Sequence, residues 1–322
     1  MGASTTPKNT LALSLDQAPP ISVPLRFFLS APLFGMLAAL TLLWTGPAAW
    51  DTRWSPAMLA ATHLMTLGFM TMVMLGALMQ MLPVLAGVPV PRARRVSAAL
   101  HILLGSGTLL LAGGLLFMRS DLLRHSLPLL LLAFGLFLSV VGLSLWRARI
   151  QGPTVGGMRL AVAALAMAVI LGLLLGAQRG WGLHSVGRHV TDLHVAWGLL
   201  GWVGLLVVGV AYQVIPMFQM TPEFPRRLTR WLAPALFAAL AVWSLSIFFT
   251  LRLTLPAFIA PLLATLPVLG YALFAVIILR LQQRRRRRLP DVTVLFWRIA
   301  SLSIVTAAVL WCAGPLWPAA YA

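Results

Sequence analysis

HLMTLGFMTMVMLGALMQMLP at residues 63–83 and HVAWGLLGWVGLLVVGVAYQVIP at residues 194–216 carry one message twice. Gly68, Gly76, Gln80 and Pro83 of the first recur as Gly201, Gly209, Gln213 and Pro216 of the second, at a constant offset of 133 residues. Both stretches are apolar and about 20 residues long, enough for a helix to cross a ~30 Å hydrocarbon core. Each opens with a histidine, His63 or His194. An ionisable group inside such a helix is costly in lipid and marks a candidate functional position.

The rest of the chain has the same character. Sixty per cent of residues are hydrophobic and 9% are charged, too few charges to clothe a soluble surface of this size. Nine apolar stretches can be counted, near 24–46, 56–83, 96–118, 126–146, 157–177, 191–218, 229–250, 254–280 and 291–317. Open sheet edges would leave amides unpaired in lipid, so these spans are expected to be helices and the fold an all-α integral membrane protein.

A net charge of +18 would fit nucleic acid, but its placement excludes that reading. Arg92, Arg94 and Arg95 follow span 2, and Arg147, Arg149 and Arg159 lie between spans 4 and 5. Arg226, Arg227 and Arg230 follow span 6, and Arg280 with Arg284–Arg288 follows span 8. The alternate loops are poorer in arginine. This is the positive-inside pattern, and it predicts a cytoplasmic N-terminus and a periplasmic C-terminus. The run Arg284–Arg288 reads as a topology anchor or as a site for anionic headgroups. Arginine outnumbers the single lysine, Lys8, a bias that accompanies GC-rich bacterial genomes, so the expected location is a bacterial inner membrane. Cys312 is the only cysteine, which rules out a disulfide framework and a CxxCH haem attachment.

The repeat continues beyond the motif. GVPVPRARRVSAAL after span 2 is echoed by MTPEFPRRLTRWLAPAL after span 6. The expected organisation is a disordered cytoplasmic tail (1–23), a first four-helix repeat (24–150), a second (151–281), and a basic loop with a C-terminal helix (282–322). Four spans per repeat give the two repeats the same orientation, related by an axis along the membrane normal.

Five of the six histidines fall at the expected outer side: His63, His125, His184, His189 and His194. Neutral imidazole is the commonest protein ligand for metals and for haem iron. His63 and His194, on neighbouring helices at similar depth, are candidates to clamp one b-type haem. Interhelical hydrogen bonding is the plainer role. At 100° per residue His63 shares a face with Met70, Met74 and Met81, and His194 with Gly198, Gly201, Leu205 and Tyr212. Gly198 and Gly201 would leave room for a flat macrocycle, or simply let helices approach. Met70 and Met74 with His63 could bind Cu(I), since thioethers are soft ligands, although methionine also serves as adaptable packing. Gln80 and Gln213 each stand three residues before a proline, which frees a carbonyl one turn earlier, so that pair reads as structural.

HVAWGLLGWVGLLVVGVAYQVIPMF resembles the tenth-helix region of the catalytic subunit of C-type haem-copper oxidases and nitric-oxide reductases, roughly HxHxGxLGWxGxxxxGxxYxxxP. The chain also resembles NnrS-type membrane proteins, which are associated with haem, copper and nitric oxide. The resemblance covers about 25 residues twice. It implies that His194 matches the ligand of the active-site haem, that Ala196 stands where the low-spin haem ligand would be, and that His63 matches that second position in its own copy. No histidine cluster for an active-site copper is present. The only glutamate, Glu223, lies in a loop. Oxygen reduction coupled to proton pumping is therefore not expected.

The expectation is a haem-binding membrane protein in electron transfer or in haem, nitric-oxide or copper handling, with His63 and His194 as axial ligands. His184 and His189 are alternative ligands or contacts to the propionates. The other readings are a Cu(I)-handling protein and a structural subunit of a respiratory complex. Beyond the lipid bilayer, a redox partner or other membrane subunits are expected partners. An enzyme acting alone is the least supported reading, because acids and nucleophiles are nearly absent. One conflict stands: under the 133-residue offset His63 pairs with Ala196, not His194. Two residues turn a helix by about 200°, so both rings cannot face the repeat axis unless a bulge intervenes or the haem lies off-axis.

Overall fold

The computed structural model describes residues 18–148, 151–184, 187–253, 256, 258–286, 289 and 291–314. Most of the expected N-terminal tail, Arg149, Arg287 and Arg288 lie outside the described residues. The described chain is helical with no strand, and nine of its helices are long and apolar enough to cross a membrane. It is an all-α integral membrane protein. The chain divides into two compact units, Met1–Gln151 and Gly152–Ala322.

In the first unit, α1 (Ser22–Thr45) leads through a short 3-10 turn to a broken span. That span consists of α2 (Pro56–His63), a π-helical segment (Leu64–Thr71) and α3 (Met72–Ala86). Ser55 starts it, its side-chain oxygen accepting from Met58 N at 3.2 Å, and Pro56 sits at the first helical position, where no donor is lost. α4 (Ala93–Leu116) and α5 (Ser120–Trp146) complete the unit. α1 packs along the whole broken span, α2 against α4, and α4 against α5.

The second unit repeats this order. α6 (Pro153–Trp181) precedes a span made of α7 (Arg188–Ala196), a π-helical segment (Trp197–Gly204) and α8 (Leu205–Gln219). α9 (Arg226–Leu253) and α10 (Ile259–Gln283) follow. α11 (Val292–Ala313) packs on α10. The 133-residue offset holds at both ends of the two π segments and at the residues that cap α3 and α8. Gly87 and Met220 are both left-handed, with φ of 66° and 53°.

The repeated glycines fasten each broken span to the first helix of its unit. A Cβ on Gly68 would enter the ring of Phe34 on α1, and one on Gly76 would lie 3.2 Å from Pro24 O. A Cβ on Gly201 would lie 2.8 Å from Ala164 Cβ on α6. At Gly209 the approach is backbone to backbone. A Cβ on Gly157 of α6 would lie 2.7 Å from Gly209 Cα, and one on Gly209 would lie 3.1 Å from Gly157 Cα. With no hydrophobic driving force between helices in lipid, such close packing is a main source of helix association.

Gly157→Ala should therefore lower the thermal midpoint in detergent, the added methyl costing about 1–3 kcal/mol of overpacking. Gly156→Ala, where a Cβ meets nothing within 4 Å, should hold or raise it by about 1 kcal/mol of helix propensity. Equal midpoints for the two variants would rule out the backbone contact as the anchor.

Candidate functional site

His63 is the last residue of α2, and the π segment begins at the next residue. The imidazole is half-buried, with Nδ1 2.8 Å from Leu59 O, one turn back on the same helix. A carbonyl only accepts, so Nδ1 carries the proton and the neutral ring holds its lone pair on Nε2.

His194 lies three residues before its own π segment. Its partner comes from another helix: Nδ1 donates to Ala168 O of α6 at 2.9 Å. The ring rests against a bare stretch of the same helix. A Cβ on Gly172 would lie 2.8 Å from His194 Cε1 and 3.3 Å from Nδ1. Gly172 thus makes the seat and Ala168, one turn away, supplies the acceptor. The tautomer again leaves the lone pair on Nε2. An imidazole oriented through Nδ1–H to a carbonyl is the arrangement that metal-binding histidines use.

The bulges bear on the phase conflict without removing it. Both π segments lie C-terminal to both histidines, so the two-residue displacement stands. They do alter the faces beyond. Bonds of the i→i+5 type widen the turn, and each residue advances the helix by less than 100°. The alignments of His63 with Met70 and Met74, and of His194 with Gly201 and Tyr212, cross these segments and do not hold at 100° per residue. Met70 and Met74 are half-buried, while Met72 and Met79 are fully enclosed. Gly201 is filled by Ala164, whereas a Cβ on Gly198 would meet nothing within 4 Å. Of the two glycines, only Gly198 has open space beside it.

His184 lies in the link before α7 and His189 in the first turn of α7, both exposed. Five positions separate His189 from His194, about 140° around an α-helix, so the two rings point apart. Among the described residues no three histidine, cysteine or acidic side chains gather as a metal-binding group. A haem iron requires only one or two axial side chains, and His63 and His194, each with Nδ1 engaged, suit that demand in their own units.

The second π segment is held from three sides. Gly201 seats on Ala164 of α6. Trp197 Nε1 donates to Ser244 Oγ of α9 at 2.9 Å, and its indole meets Phe237 edge-on. Tyr271 of α10 donates its hydroxyl to Leu200 O, inside the widened turn. Leu205 N, which follows, bonds Gly201 O and Trp202 O instead. The Tyr271 ring reaches that carbonyl because Gly204 has no side chain: a Cβ there would lie 2.9 Å from Tyr271 Cε1. The first unit has Thr71 where Gly204 stands in the second, and α5 contains no tyrosine, so this tyrosine clamp belongs to the second unit alone. Gly172, Gly204 and Tyr271 were not candidates from the sequence. Tyr271 carried a signal, as one of three tyrosines in the chain, placed within an apolar span.

Tyr271→Phe should destabilise the protein by about 0.5–1.5 kcal/mol, the net worth of one hydrogen bond. It should also speed amide exchange across residues 197–205. Tyr212→Phe is the paired control, since the buried Tyr212 hydroxyl has no hydrogen-bond partner among the described residues and its removal should be neutral or stabilising. Thermal melting with hydrogen exchange reads both, and equal effects of the two variants would remove the clamp. In comparisons with known proteins, no family model, no curated protein and no solved structure matches this chain.

Proposed function

We propose that this chain is a haem-binding protein of the bacterial inner membrane, acting in electron transfer or in haem, nitric-oxide or copper handling, with His63 and His194 as iron ligands. The observation that carries the reading is His194. Its ring is seated on Gly172, its Nδ1–H is committed to Ala168 O at 2.9 Å, and its Nε2 lone pair is fixed in direction by a neighbouring helix. A side chain held only for packing does not need a fixed tautomer, whereas an axial ligand does. His63 has the weaker version of this arrangement, held within its own helix.

Haem, when bound, supplies a one-electron carrier. The protein's part is to present the nitrogen, exclude water and hold the ring. Proton-coupled oxygen chemistry is left out of the proposal because the six acids form no chain across the spans. Redox partners or companion subunits would meet the protein in the membrane.

An absorption spectrum before and after dithionite tests the reading. Protein expressed with haem supplied should show a Soret band that shifts on reduction. His194→Ala and His63→Ala should each change that spectrum, and His184→Ala and His189→Ala should not. No Soret band would end the haem reading. Copper without iron on elemental analysis would favour a Cu(I) site built from His63, Met70 and Met74. Protein free of both metals but holding stable companion subunits would favour the structural role.

A further inference from the structure

Two loops far apart in sequence are joined at one end of the second unit. α8 ends at Gln219, which is buried. Its side-chain oxygen accepts from Gln282 Nε2, near the end of α10, at 2.8 Å. One residue on, Met220 O accepts from the backbone N–H of Arg286 at 3.0 Å. The α8–α9 loop and the turn after α10 are thereby held side by side. Met220 adopts the left-handed conformation, φ 53°, to make this connection, at a position where the first unit has a glycine.

The joining gathers charge. Arg226, Arg227 and Arg230 occupy the first two turns of α9, and Arg280, Arg284 and Arg286 lie at the end of α10 and just beyond, all six exposed. The carboxylates at this end are Glu223 and Asp291. The Asp291 carboxylate is engaged as the cap of α11, accepting from Val294 N at 3.0 Å and from Thr293 Oγ1 at 2.6 Å. Trp231 is 60% exposed, with the Arg230 guanidinium 5.2 Å from its ring centre. An exposed tryptophan beside arginines is the pairing found at headgroup level. Topology alone requires the charges to be on these loops. It does not require a buried glutamine pair and a strained residue to hold the loops together.

We propose that this end of the second unit binds anionic phospholipid headgroups, whose phosphate oxygens are received by guanidiniums from both loops. Guanidinium matches phosphate through paired N–H donors, and basic segments at the membrane surface attract anionic lipid. The proposal is independent of haem.

Thermal melting of the full chain in detergent, with phosphatidylglycerol or phosphatidylcholine added, tests it. Phosphatidylglycerol should raise the midpoint by several degrees over phosphatidylcholine, and added salt should shrink the difference. The variants R226Q/R227Q/R230Q and R280Q/R284Q/R286Q should each remove most of that difference, because the loops form one surface. Native mass spectrometry of the unaltered chain gives a second readout should a variant fold poorly: phosphatidylglycerol adducts should outlast phosphatidylcholine adducts. Equal midpoints and equal retention for the two lipids would overturn the proposal, as would full retention of the lipid difference in both variants. A shift of the same size with inorganic phosphate would also overturn it, reassigning the surface to a free anion.

Discussion

In hydrocarbon every backbone amide and carbonyl has to find its partner within the protein, and a π segment strains that rule. Each broken span widens for eight residues and leaves the i→i+4 ladder. In water a stranded carbonyl would be hydrated at little cost. In lipid the partner has to come from the protein itself, and a donor on a neighbouring helix can supply it. The second unit meets this demand with the Tyr271 hydroxyl on Leu200 O, and the space for it comes from Gly204. The position of α10, the glycine at residue 204 and the shape of the span that carries His194 are therefore one connected requirement.

That requirement explains which parts of the structure were legible in the sequence. The spans were, because hydropathy over about 20 residues has few other meanings. The glycine framework was too: Gly68, Gly76, Gly201 and Gly209 recur in register, and all four sit where a Cβ would strike the first helix of their unit. The π segments were not. No proline or change of composition marks Leu64–Thr71 or Trp197–Gly204, and the bulge arises from which partners tertiary packing offers. Face assignments made at 100° per residue fail across them for that reason. The seat for His194 was hidden for a different one, since Gly172 and Ala168 lie 22 and 26 residues upstream and only folding brings them beside the ring.

The two units share a scaffold and differ in how it is used. Both π segments start and end in register, yet His63 adjoins its segment and His194 precedes its own by three residues. His63 bonds back to its own helix, which any helical histidine can do. His194 is bound by a second helix that has given up a side chain to receive it. The clamp by Tyr271 is also confined to the second unit, since the first has Thr71 in place of Gly204 and no tyrosine in α5. The second copy thus carries two specialised devices on one span that the symmetry of the motif does not imply.

The opposite end of that span bears on the same point. The motif span terminates in a left-handed residue in both units, as Gly87 after α3 and Met220 after α8. A left-handed residue other than glycine costs roughly 1–2 kcal/mol, and only a compensating contact retains it. At Met220 the compensation is the carbonyl that receives Arg286 N, beside the buried Gln219–Gln282 pair. The second unit therefore ties its motif span to α10 twice, through Tyr271 within the span and through the glutamine pair at its end. A helix fixed at two points along its length resists rotation about its own axis, and rotation is the motion that would misdirect His194.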